Sequence, residues 1–99
     1  MQPIPLCTNV SAAGAQTWQT WVEGGRASLK IDATAWNGAS AVLEARGTVD
    51  GRVIEITESV AVANRILAVE LAPGSYRITI TGTPTALSAQ LLPLPFYRS

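Results

Sequence analysis

Leu71-Ala72-Pro73-Gly74-Ser75-Tyr76-Arg77-Ile78-Thr79-Ile80-Thr81-Gly82 decides the fold class of this chain. A Pro-Gly corner separates two runs in which apolar and polar residues alternate. Strand side chains point to opposite faces at every step, so Leu67, Val69 and Leu71 share one face before the corner. Tyr76, Ile78 and Ile80 share one face after it. The pattern predicts two strands, 65–71 and 75–81, joined as a β-hairpin.

The same period extends outward. Ala27, Leu29, Ile31 and Ala33 alternate with Ser28, Lys30 and Asp32, a half-buried strand that runs up to Trp36-Asn37-Gly38. Asn-Gly supplies the positive φ angles of a tight hairpin turn. Alternation resumes with Ala39, Ala41, Leu43 and Ala45 inward against Ser40, Glu44 and Arg46, Val42 being the exception. Val49-Asp50-Gly51 is a second turn of this kind, leading into a strand over 53–57 that places Ile54 and Ile56 inward and pairs with its predecessor. Upstream, residues 17–23 are rich in β formers and stop at Gly24-Gly25. Residues 59–64 read either as a short strand or as a crossing between sheets. Residues 82–85 form a loop and 86–92 a last strand.

Turn signals every ~8–12 residues, without a sustained helical period or an internal repeat, predict an all-β fold. The expected architecture is a single antiparallel β-sandwich or jelly roll of about 7–8 short strands with extended Pro-rich termini. Pro3 and Pro5 lock φ and remove backbone donors, so residues 1–14 are expected as an extended arm, 15–92 as the sandwich and 93–99 as a C-terminal tail. Solvated tails are normally polar, yet Pro3-Ile4-Pro5-Leu6 and Leu91-Leu92-Pro93-Leu94-Pro95-Phe96-Tyr97 are apolar. Both ends are therefore expected to pack on the domain or on a neighbouring chain. The expected interface residues are Pro3, Ile4, Pro5, Leu6, Trp21, Leu92, Leu94, Phe96 and Tyr97.

The 99 residues, 47% of them hydrophobic, suffice for one core. A chain of this size buries roughly 60–65% of its unfolded surface and gains from self-association. Seven basic and seven acidic residues cancel and are scattered singly. That argues against a nucleic-acid partner, which needs a basic stripe. No stretch approaches the ~20 apolar residues of a membrane helix and no leader pattern opens the chain, so a soluble, unprocessed protein without a membrane partner is expected. Cys7, the only cysteine, makes no intramolecular disulfide and reads as a small hydrophobe.

The absence of histidine excludes Ser-His-Asp and Cys-His catalysis and imidazole metal sites. Glu44, Asp50, Glu55, Glu58 and Glu70 fall at outward or turn positions, where carboxylates solvate a sheet. No catalytic set, metal site or cofactor site is expected. Gly24-Gly25 and Gly38 are turns, with no phosphate-loop context. Trp18, Trp21 and Trp36 either pack in the core and a subunit interface or make a sugar-stacking platform. Trp18 and Trp21 are three positions apart, so on a regular strand one fills the core and the other is exposed or interfacial.

The glycine-led strand, Trp36-Asn37-Gly38-Ala39, Val49-Asp50-Gly51, Leu71-Ala72-Pro73-Gly74-Ser75-Tyr76-Arg77 and Thr81-Gly82-Thr83-Pro84-Thr85 together resemble, over residues 25–92, the small β-sandwich virion proteins of tailed bacteriophages. The resemblance implies a non-enzymatic capsid decoration, or cement, protein on the virion surface, assembled in the host cytoplasm. It implies the major capsid protein and sister copies as partners, commonly as a homotrimer at local symmetry axes. Two other readings stay open. One is a carbohydrate-binding or adhesin module on a head or tail appendage, using an exposed Trp with Asn37 or Gln19 on a glycan. The other is a tail, baseplate or connector component.

Overall fold

The structure, a computed structural model, describes residues 4–21, 25–47 and 51–93, without the side chain of Glu58. Its strands are β1 (Ile4–Val10), β2 (Gly14–Ala15), β3 (Gln19–Trp21), β4 (Gly25–Asp32), β5 (Ser40–Arg46), β6 (Val53–Ala61), β7 (Arg65–Leu71), β8 (Gly74–Thr81) and β9 (Leu87–Pro93). One sheet has the order β1-β9-β4-β7 and the other β2-β8-β5-β6, with β3 also paired to β8. Every ladder is antiparallel. The chain is all-β, as its alternation requires, and its two antiparallel sheets are compatible with a β-sandwich.

The two sheets enclose one core. Leu6, Ala27, Leu29, Ile31, Val69, Leu71, Leu87, Ala89 and Leu91 enter it from the first sheet. Trp21, Ala41, Leu43, Ala61, Tyr76, Ile78 and Ile80 enter it from the second. Of these, Ala27, Leu29, Ile31, Ala41, Leu43, Val69, Leu71, Tyr76, Ile78 and Ile80 are inward positions read from the period of two, and each fully buried Leu or Ile contributes about 1.5–3 kcal/mol. Ile54, expected inward, is instead 50% exposed, while Ile56 packs half-buried on the core. Ile54 lies toward the free end of the β5–β6 ladder, opposite Ala45.

The connections differ from those expected. β7 and β8 do not pair: β7 hydrogen-bonds to β4, and β8 to β5 on one side and to β2 and β3 on the other. The Pro-Gly corner is an arch between sheets, steadied by the Tyr76 hydroxyl, which donates to the Ala72 carbonyl at 2.6 Å. Likewise Asn37 and Gly38 adopt φ of 52° and 77°, and Ala39 N–H donates to Trp36 C=O at 2.8 Å, the signature of a type I′ turn. Yet β4 and β5 lie in different sheets. An alternating strand requires only that its apolar face be covered, and a strand facing it across the core covers it as well as a neighbour in its own layer. The β5–β6 pairing stands as expected. Residues 59–64 combine both readings, since β6 continues to Ala61 and the chain then crosses to β7.

The first strand is also reorganised. Of the strand expected over residues 17–23, residues 22 and 23 lie outside the described residues, and the described part is strand only over Gln19–Trp21: β2 and β3 lie along β8 separated by a break that contains Trp18. Over residues 4–10 the extended N-terminal segment packs on the domain as the edge strand β1, with Leu6 in the core. Proline is tolerated at a sheet edge, where no outer partner needs its missing N–H. The register of β1 against β9 shifts on either side of Cys7, which keeps the edge irregular. β1 also lies against β3 and β8, so β6 and β7 occupy the opposite margin of the sandwich together.

Candidate functional site

Among the described residues no three Cys, Asp or Glu side chains gather as metal ligands. Cys7 is half-buried with its Sγ 3.9 Å from the Leu87 carbonyl, and burial pushes its thiol pKa up. A thiol held protonated is a poor nucleophile. Of the carboxylates weighed as a catalytic pair, Glu44 is engaged by Arg77 and Thr79. Glu55 and Glu70 point to solvent, and Asp50 and the Glu58 side chain lie outside the described residues.

The tryptophans divide between core and surface, although Trp18 lies outside any regular strand. Trp21 is 1% exposed in the core. Trp18 lies on the outer face of the second sheet, with the Arg77 guanidinium 4.3 Å from its ring centre and that of Arg46 at 6.0 Å. Trp36 is half-buried, its Nε1–H donating to Asn64 Oδ1 at 2.8 Å. Asn37 spends its amide on Thr83 C=O and Thr85 Oγ1, both at 3.2 Å. These residues therefore do not assemble a sugar-stacking platform. Trp21 is interior, Trp18 is stacked by arginine, and Asn37 braces its own turn.

The expected interface residues scatter. Leu6 and Trp21 belong to the core, and are corrected from interface to interior because each sits on the inward phase of its strand. Ile4 is half-buried against the core. Pro5 and Leu92 reach the surface on the outer face of the first sheet, where Leu92 is 39% exposed opposite Ser28. Pro3, Leu94, Phe96 and Tyr97 lie outside the described residues.

The surface that does gather apolar side chains was not among those expectations. Val53, Ile54, Val60, Val62 and Ile66 are all exposed along β6, the β6–β7 crossing and the start of β7, with Val62 and Ile66 each at 68%. They occupy the margin where both sheets end. Part of this was readable: with Leu67, Val69 and Leu71 inward, Ile66 sits in the phase that should be polar. The edges at the opposite margin are blunted, β1 by Pro5 and its irregular register, β2 and β3 by their two- and three-residue lengths. β6 and β7 run nine and seven residues and contain neither proline nor lysine. Glu55 and Glu70 and the irregular step of the β5–β6 ladder are their only guards among the described side chains beside Arg65, and an exposed apolar strip along such edges points to an association surface.

Comparison with protein-family models, with curated proteins and with solved structures finds no match for this chain.

Proposed function

We propose that this chain is a non-enzymatic structural protein of a phage virion, of the decoration or cement type, which self-associates through the β6–β7 margin. The observation that carries the reading is the exposed strip Val53, Ile54, Val60, Val62 and Ile66 beside an open strand edge. Two further features support it. The sequence resembles small phage virion proteins over residues 25–92. The strand orders β1-β9-β4-β7 and β2-β8-β5-β6, with the chain changing sheets at every connection except β2–β3 and β5–β6, are those of a jelly roll, an architecture used in viral capsids.

The occupant of the margin is a sister copy. Three strips meeting about a threefold axis cover their apolar side chains mutually, and a specific interface typically removes about 1,600 Å² in total. Pro5 and Leu92, on a different face, remain free to meet the major capsid protein. Many copies on one lattice multiply a modest contact into firm attachment.

Light scattering and native mass spectrometry test the association. A trimer is expected, and Val62→Glu with Ile66→Glu should give a folded monomer. Sedimentation with purified capsids and immunogold microscopy test the location. A wild-type chain that stays monomeric at tens of micromolar, or label confined to the tail, overturns the cement reading.

A further inference from the structure

The outer face of the first sheet carries a groove that is polar over β1, β9 and β4 and reaches the apolar margin at Ile66. A depression of about 250 Å³ is lined by Thr8 of β1, Ser88 and Gln90 of β9, and Lys30 and Asp32 of β4. A wider one of about 450 Å³ shares Lys30 and Asp32 and continues to Arg65 and Ile66. Ligand sites typically span roughly 300–1,000 Å³, a range the wider depression reaches.

Strand register brings the polar groups together. Lys30 lies opposite Gln90, and Asp32 opposite Ser88. Directly opposite side chains on one sheet face are about 5 Å apart at Cβ, so these four form a compact block. Ser88 Oγ accepts from the Asn9 N–H at 3.0 Å. The side chains of Lys30, Asp32 and Gln90 have no hydrogen bond or ion pair within the described chain. Asp32 and Gln90 are nevertheless half-buried. Their hydrogen-bonding capacity is pre-placed and unspent.

The surroundings narrow the ligand. β9 and β4 are each paired on both sides, so their backbone groups are committed and only side chains can hold a molecule on this face. An extended peptide, which binds by backbone pairing at a free edge, does not suit it. Asp32 beside Lys30 breaks any basic stripe, which disfavours a phosphate polymer. A molecule dense in hydroxyls, each both donor and acceptor, matches a carboxylate, an ammonium and an amide set side by side.

We propose that this groove binds a hydroxyl-rich carbohydrate, with Asp32 accepting from its hydroxyls and Lys30 and Gln90 donating. The site is distinct from the tryptophan platform considered from sequence.

The test begins with the full chain on an array of bacterial and animal oligosaccharides. Amide spectra are then titrated with glucose, galactose, N-acetylglucosamine and rhamnose. Binding to at least one class is expected, with shifts centred on Lys30, Asp32, Ser88 and Gln90. Asp32→Ala and Gln90→Ala should each weaken it about tenfold or more while circular dichroism and oligomeric state stay as in the wild type. A folded wild-type chain that binds no oligosaccharide and shows no shifts overturns the proposal. So do shifts centred on Trp18 and Arg77, or affinity unchanged in both variants. Retention of a peptide or nucleic acid in place of every sugar overturns it equally.

Discussion

Glu44 of β5 and Arg77 of β8 stand directly opposite each other in the ladder, and Arg77 Nε donates to Glu44 Oε1 at 2.9 Å. The same guanidinium lies over Trp18, and Thr79 Oγ1 adds a 2.7 Å bond to the same carboxylate oxygen. One cross-strand pair thus ties the break between β2 and β3 down onto the middle of the second sheet. It also offsets the unfavourable register of Glu44 against Glu55 on its other side.

Arg77→Ala removes the stacked cation and the ion pair together. With both side chains only partly exposed, the expected loss is about 1–2 kcal/mol in urea unfolding. A double-mutant cycle with Glu44→Gln should return a coupling of about 0.5–1 kcal/mol. Trp18 emission should shift to longer wavelength in Arg77→Ala. Additive single effects would mean the pair is not coupled.

Ser59 is fully buried and fills the irregular step of the β5–β6 ladder. Its hydroxyl accepts from Leu43 N–H at 2.8 Å and donates to Ile56 C=O at 2.6 Å. Ser59→Ala strands both backbone groups and should cost about 1–3 kcal/mol. Hydrogen exchange at the Leu43 amide should accelerate more than at its neighbours.

Asn64 uses one oxygen twice, accepting from Ala33 N–H at 3.0 Å and from Trp36 Nε1–H at 2.8 Å. Only an acceptor is needed there. Asn64→Asp should keep near-wild-type stability at neutral pH, whereas Asn64→Ala should lose about 1–2 kcal/mol by thermal or urea unfolding.

Burial raises the Tyr76 pKa above its ordinary value. As pH climbs past the unfolded value, about 10, the unfolded chain releases this proton first and the folded chain keeps it. The folded state then binds more protons, so stability falls with rising pH. Cys7, also raised by burial, acts in the same direction from a lower pH. Tyr76→Phe should lose about 1 kcal/mol at pH 7 with the bond to Ala72, and its stability should decline less steeply on the alkaline side. Urea midpoints measured from neutral to alkaline pH give the comparison.

How far the fold was legible depends on the kind of information each residue carries. Ala27, Leu29 and Ile31, or Tyr76, Ile78 and Ile80, declare their inward face at every second position. Local turn chemistry was equally readable, as Asn37 and Gly38 show with their positive φ. Gly82 has a reason invisible in sequence: at φ of 91°, an added Cβ would come within 3.0 Å of the Ala39 Cα. The N-terminal strand was hidden because two prolines resemble a linker unless the segment happens to lie on a sheet edge. The candidate surfaces were harder still. Ile66 betrayed itself by phase, but Lys30 and Gln90 are 60 positions apart and become neighbours only through the β4–β9 ladder.

Periodicity alone made the chain all-β and marked the core faces of β4, β5, β7 and β8, because strand geometry turns alternating apolar residues directly into a buried face. Only the tertiary structure decided which strands are neighbours. Folding back within a sheet and arching across to the other satisfy the same period of two. The choice between them depends on long-range pairing and mutual burial, which no local stretch encodes.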